Sequence, residues 1–212
     1  MKLASFRLPG LIALCAVAAL PSTASAATCA RTVTADVVAF DQVFFWNRLG
    51  AVQPQGQMFA LRRDVVPISG TALTAGNVQL RADKRPRPLV LRMNEGDCLR
   101  ITFQNLLANA VKDQEQSATR FASIHANGME LVGSDLDGGT YVGQNASSLV
   151  APGGTAVYNL YAEKEGEHLL YSAGTVTGGE GNGGQINAGL FGAIIVEPAG
   201  ARWYRSQGTK VA

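Results

Sequence analysis

Two histidines, His125 and His168, are the only imidazoles in this chain of 212 residues. Imidazole is the commonest metal ligand and the ordinary acid–base group near neutral pH, so a metal centre or proton relay would have to be built around this pair. His125 lies in Ser123-Ile124-His125-Ala126-Asn127-Gly128-Met129, and His168 in Gly166-Glu167-His168-Leu169-Leu170-Tyr171-Ser172-Ala173. Cys29 and Cys98 do not make a blue-copper site. Such a site needs a histidine shortly after the cysteine and a weak ligand such as methionine beyond it, and no histidine follows either one closely. Ser123 stands two residues from His125, but the G-x-S-x-G elbow that would make it a nucleophile is absent. Asp135 and Asp137, in Gly133-Ser134-Asp135-Leu136-Asp137-Gly138-Gly139, match half of a calcium loop without its spacer to a glutamate, and read as a turn. Glu163, Glu165 and Glu167 alternate along a connection and read as facing water. Phosphate-loop and dinucleotide-binding patterns are also missing.

The elements available to position these residues are strands. Thr32 to Phe40 is rich in β-branched residues; Leu89 to Met93 and Leu99 to Asn105 bracket the turn Asn94-Glu95-Gly96-Asp97; Ala156 to Ala162, His168 to Ser172 and Ala193 to Glu197 complete the set. Short strands at regular spacing, with 24 glycines to turn the chain, predict an all-β sandwich or Greek-key barrel. Leu106 to Ala122 is the best helix candidate, although polar. Arg48 to Gln79 reads as an extended excursion, and Thr177 to Gly189 as a glycine-dense loop.

The first 26 residues have the form of a secretory signal. Lys2 and Arg7 precede an apolar run from Leu11 to Leu20, Pro21 follows, and Ala24-Ser25-Ala26 offers small residues for cleavage. The apolar run is too short for a membrane anchor. Losing Lys2 and Arg7 from 18 basic residues balances the 16 acidic ones, and nothing in that charge points to nucleic acid or an anionic membrane. An oxidising destination favours a disulfide between Cys29 and Cys98, with two unpaired thiols as the alternative. The expected organisation is a signal over 1–26, one domain over 27–200 and a linker-like tail over 201–212.

The two histidine segments resemble the first cupredoxin domain of multicopper oxidases, whose pattern reads I-H-W-H-G and later G-T-Y-W-Y-H-S-H. The blocks Leu91-Arg92-Met93-Asn94-Glu95-Gly96-Asp97, Val150-Ala151-Pro152-Gly153-Gly154-Thr155 and Gly189-Leu190-Phe191-Gly192-Ala193-Ile194-Ile195-Val196-Glu197-Pro198 are similar to that family in the same order, over roughly residues 88 to 198. The stretch from Phe40 to Gly50 is similar to the opening of very large bacterial members, some linked to manganese oxidation. The resemblance implies a cupredoxin-like Greek-key sandwich and, in the family, a copper cluster whose first-domain ligands are two H-x-H pairs. Here His125 stands at the type 2 copper position, while Asn127, Tyr171 and Ala173 replace the other three ligands. His168 falls out of register with them.

Three functional readings follow from this pattern. The first is an exported, non-catalytic scaffold or N-terminal part of a larger copper oxidase, inactive alone and partnered by further cupredoxin domains of the same or a neighbouring polypeptide. It predicts a docking surface around Phe44, Phe45 and Trp46. The second is a periplasmic copper carrier that binds one ion weakly through His125, aided by Met129 or Met93. The third is an oxidase that assembles copper between subunits.

Overall fold

Residue 27 opens the described part of the computed structural model, which covers residues 27–110, 119–141, 143–175 and 184–203. Its strands, in chain order, are β1 (Thr32–Asp41), β2 (Phe44–Phe45), β3 (Val52–Gln53), β4 (Gln57–Leu61), β5 (Val65–Val66), β6 (Gln79–Leu80), β7 (Leu89–Asn94) and β8 (Cys98–Asn105). They continue with β9 (His125–Ala126), β10 (Glu130–Leu131), β11 (Thr155–Tyr161), β12 (Gly166–Tyr171) and β13 (Phe191–Glu197); a short helix, α1 (Gly184–Ala188), precedes β13. Among the described residues, the two larger sheets run β10-β11-β8-β1-β4 and β7-β13-β12-β9, and β2-β3 and β5-β6 form two-stranded sheets.

Period-two burial explains why these segments form a sandwich. In β8, Leu99, Ile101 and Phe103 are buried while Arg100 and Thr102 face solvent. On the inner face of the five-stranded sheet, Phe103 packs edge-on against Phe59, with ring centroids 6.1 Å apart, and tilted against Tyr158 at 6.2 Å. Leu91, Met93, Leu170, Ile194 and Val196 come from the opposing sheet. Tyr158 keeps its polar end satisfied by donating to the Ser148 carbonyl at 2.6 Å. Burial pushes its phenol well above the ordinary range.

β1 is buried on both faces: Val37 and Ala39 join the main core, and Val38 and Phe40 join a second cluster with Met58, Val65, Val78 and Leu106. That second cluster corrects the reading of Arg48 to Gln79 as a mere excursion. The segment supplies β4, which pairs antiparallel with β1 from Val37–Leu61 to Asp41–Gln57, and then folds back over the outer face of the sheet. Of the helix candidate Leu106 to Ala122, residues 111–118 lie outside the described residues, and the described flanks, 106–110 and 119–122, contain no helix. Within Thr177 to Gly189, residues 184–188 are helical and not loop, while 177–183 lie outside the described residues. The signal sequence at 1–26 and the tail from 204 also lie outside them.

Cys29 and Cys98 form a disulfide with Cα atoms 5.3 Å apart, closing a sequence separation of 69 residues. Cys98 begins β8 and is paired across the sheet with both Thr32 and Tyr161, so the bridge ties the start of the domain to the middle of the sheet.

The turn between β7 and β8 is held by Asp97. Its buried carboxylate accepts from the Asn94 N–H at 2.9 Å and from the Arg31 guanidinium at 2.5 Å, and Gly96 takes the left-handed φ of 84° that the turn needs. Burial alone would raise the Asp97 carboxyl, but the Arg31 hydrogen bond, the Asn94 N–H and the Arg31 charge outweigh it and hold the group below its usual range. The folded state therefore binds this proton less readily than the unfolded chain. The stability it contributes is complete above the ordinary carboxylate value of about 3.9 and is lost as pH falls through the depressed folded value. Asp97→Asn is expected to cost about 1–3 kcal/mol at neutral pH and to flatten the acid limb of the stability curve, checked by urea unfolding between neutral and strongly acidic pH.

Candidate functional site

His125 is fixed by three elements. β9 pairs antiparallel with β12, placing His125 opposite Tyr171 and Ala126 opposite Leu170. Facing residues of an antiparallel pair share a side of the sheet, and Ala126 and Leu170 are buried in the core, so His125 and Tyr171 occupy the outer side. Their rings meet edge-on with centroids 5.0 Å apart. The third element is the 3-10 turn Asp135–Gly138, whose Gly138 carbonyl lies 2.5 Å from His125 Nδ1. A carbonyl only accepts, so Nδ1 carries the ring proton and Nε2 carries the lone pair.

The positions that the resemblance pairs with His125 fall on the same strip. Asn127 follows it into an exposed turn, where its N–H donates to the Leu169 carbonyl at 2.9 Å. Ala173 lies beyond Tyr171, and its N–H donates to Ser123 Oγ at 3.0 Å. The fold thus brings His125, Asn127, Tyr171 and Ala173 together on one edge of the β9–β12 sheet. A neutral amide, a phenol and a methyl group occupy three of those four places.

His168 sits elsewhere. It shares a side with Leu170 and Ser172, opposite to Tyr171 and therefore opposite to His125. Its Nδ1 donates to the Asn127 carbonyl at 3.0 Å, and its Nε2 is buried without a protein partner. Neither sulfur that could help a copper ion is at the surface: Met93 and Met129 both belong to the core. Among the described residues, no group of three or more His, Cys, Asp or Glu side chains could hold a metal ion. The residues present do not fit a trinuclear copper cluster.

Several polar residues of this region are not apparent in the sequence. Ser172 is wholly buried; its hydroxyl donates to Gln185 Oε1 at 2.6 Å and accepts from the Ser123 N–H at 3.1 Å. Gln185 Nε2 donates in turn to the Phe121 carbonyl at 2.7 Å. This network holds the chain before β9, the end of β12 and α1 at fixed separations. Asp137 is also buried: Oδ1 accepts from the Asn159 N–H and side-chain amide at 2.7 and 3.0 Å, and Oδ2 has no partner. The Asp135–Asp137 segment is indeed a turn, capped by Ser134 Oγ accepting from the Leu136 N–H. Glu163, Glu165 and Glu167 are exposed.

An arm formed by β2 and β3 carries the two most exposed aromatics among the described residues. Phe45 is 77% exposed, Trp46 68% and Leu49, at the tip, 95%. The arm is ordered: Asn47 Oδ1 accepts from the Leu49 and Ala51 N–H groups, and Phe44 stacks on Trp46 with centroids 5.5 Å apart. Beside it lies a cleft of about 160 Å³ lined by Phe44, Trp46, Met58, Pro86, Pro88 and Phe191.

No family model matches the chain. It is 30% identical over 146 residues to a probable nitrite reductase-hydroxylamine oxidoreductase fusion protein of Kuenenia stuttgartiensis, an alignment that takes in 68% of this chain and 15% of that protein. The chain thus spans about 15% of the length of this curated relative. Among solved structures, it is similar to a multi-copper oxidase from Pseudomonas thermotolerans, with a TM-score of 0.51 and 20% identity over 82% of this chain and 31% of that one. It is also similar to a laccase from B. aclada, with a TM-score of 0.50 and 17% identity over 80% of this chain and 23% of that one. The strand order and these likenesses define an all-β protein of the cupredoxin fold.

Proposed function

We propose that this chain is a non-catalytic cupredoxin-fold scaffold, exported from the cytoplasm, that works beside further cupredoxin domains of the same or a neighbouring polypeptide. The observation that carries this reading is the strip formed by His125, Asn127, Tyr171 and Ala173. The fold presents these four positions together, yet only one has an imidazole, and that ring is already engaged by Tyr171 and the Gly138 carbonyl. Copper prefers imidazole and sulfur ligands, and neither an alanine methyl nor a neutral amide replaces them. The exposed arm supports a docking role, because contiguous apolar surface rimmed by polar residues is characteristic of contact with a partner. The signal-like start and the Cys29–Cys98 bridge support export to an oxidising compartment. The likeness of Phe40–Gly50 to the opening of very large bacterial oxidases, some linked to manganese oxidation, supports a multidomain copper oxidase as the parent assembly.

One observation favours a second reading, the copper carrier. With its proton held on Nδ1 by a backbone carbonyl, His125 offers Nε2 as a preoriented ligand, the arrangement usual for metal-bound histidine. Copper per chain, measured after loading and exhaustive dialysis with paramagnetic resonance on the same sample, separates the two. The scaffold reading expects no retained copper and no difference between the wild type and His125→Ala. One tightly held ion per chain that disappears in His125→Ala would establish the carrier and end the scaffold reading.

A further inference from the structure

We propose that Asn127 is a site of spontaneous deamidation and isomerisation, promoted by His168. The reaction needs a carboxamide free to turn, a following backbone nitrogen free to attack, and no side chain in the way. Asn127 and Gly128 supply all three. Asn127 is exposed, and its side chain makes no hydrogen bond among the described residues. Gly128 has no Cβ to shield its nitrogen, takes a left-handed φ of 81° in the turn, and its N–H donates to no acceptor among the described residues.

The histidine gives this Asn-Gly pair its particular character. His168 Nδ1 lies 3.0 Å from the Asn127 carbonyl oxygen, which belongs to the peptide joining Asn127 to Gly128. Because His168 Nε2 has no partner, the ring proton is best placed on Nδ1, where it is donated to that carbonyl. Such a donor draws electron density from the peptide and makes the Gly128 N–H easier to remove. The imidazole also lies close to the glycine: a Cβ built on Gly128 would come within 3.3 Å of Nδ1.

The chemistry balances with water as the sole co-reactant. Gly128 N loses its proton and forms a bond to Asn127 Cγ, the Cγ–Nδ2 bond breaks, and ammonia leaves. The resulting five-membered imide is opened by water at either carbonyl, giving aspartate or isoaspartate. Either product puts a carboxylate on the strip that holds His125. Isoaspartate also inserts a methylene into the main chain and pulls the turn away from the Leu169 carbonyl that now receives the Asn127 N–H.

The test is peptide mass spectrometry of the folded protein, aged in neutral buffer at body temperature, with isoaspartate quantified separately. A second Asn-Gly pair, Asn182-Gly183, serves as the internal clock. Asn127 is expected to exchange its amide for a carboxylate on the timescale of Asn182, with isoaspartate the major product. His168→Gln, checked for an unchanged circular dichroism spectrum, is expected to slow conversion at Asn127 by about three- to tenfold, the span a single hydrogen bond supports, and to leave Asn182 unchanged. An Asn127 that stays intact while Asn182 converts overturns the site, and an unaltered rate in His168→Gln overturns the role of the imidazole.

Discussion

Replacing both Cys29 and Cys98 by alanine is expected to lower the stability of this domain by about 4 kcal/mol on the chain-entropy account of a disulfide. The bridge closes a 69-residue separation, and a loop of that length removes many conformations from the unfolded chain. For a domain of this size the loss corresponds to a fall in Tm of roughly 8–16 °C. Thermal unfolding of the oxidised wild type beside the double variant, without reductant, measures it. Cys98 is buried at the start of β8, so part of any excess over that figure reports the cavity left by its sulfur. A loss below about 1 kcal/mol would show that the first strand is held by its ladder alone.

Gly139→Ala is the second large effect. Gly139 ends the turn that gives its Gly138 carbonyl to His125, and has a φ of 65°. A Cβ there would stand 1.9 Å from the Ile124 carbonyl oxygen, inside backbone that cannot yield without moving β9. The left-handed conformation costs alanine about 1–2 kcal/mol, and the clash adds to it, so about 3 kcal/mol or more is expected. Gly153→Ala provides the contrast: its φ is 83° with nothing within 4 Å of the added atom, so only the conformational cost of about 1–2 kcal/mol remains. Urea midpoints of the two variants separate clash from conformation. The His125 Nδ1–H resonance is expected to disappear or shift in Gly139→Ala alone, because the turn must withdraw its acceptor.

Most of the sandwich was legible because strands other than β1 and β4 are buried mainly on one side. β8 and β11 alternate apolar and polar residues, and the Asn94–Asp97 turn marks the join between β7 and β8. β4 was not legible, for a physical reason. Gln57 to Ala60 are buried without alternation, since a second cluster covers the outer face, and a five-residue strand between glycines and prolines has no period to read. The helix α1 is hidden in the same way: Gln185 is secured by Ser172 and Phe121, far away in sequence, and five residues are too few to show helical periodicity. Within the candidate site, the strip of His125, Asn127, Tyr171 and Ala173 followed from the family resemblance. The edge-on Tyr171 ring, the Gly138 acceptor and the Ser123–Ser172–Gln185 network arise from tertiary contacts that spacing does not encode.

The position of β1 has a consequence for the route by which the molecule assembles. β1 does not pair with a sequence neighbour on its long side: it runs parallel to β8, from Thr32–Cys98 to Ala39–Asn105. Likewise β7 waits for β13, its parallel partner. Loops must close before either ladder forms, which places this topology among the slow folders, in the millisecond-to-second range. A growing polypeptide that has not yet reached Glu197 leaves the Leu89–Asn94 ladder edge without its mate, an invitation to pairing between chains. β13, the last strand among the described residues, is therefore the one that turns a sticky intermediate into a finished sandwich.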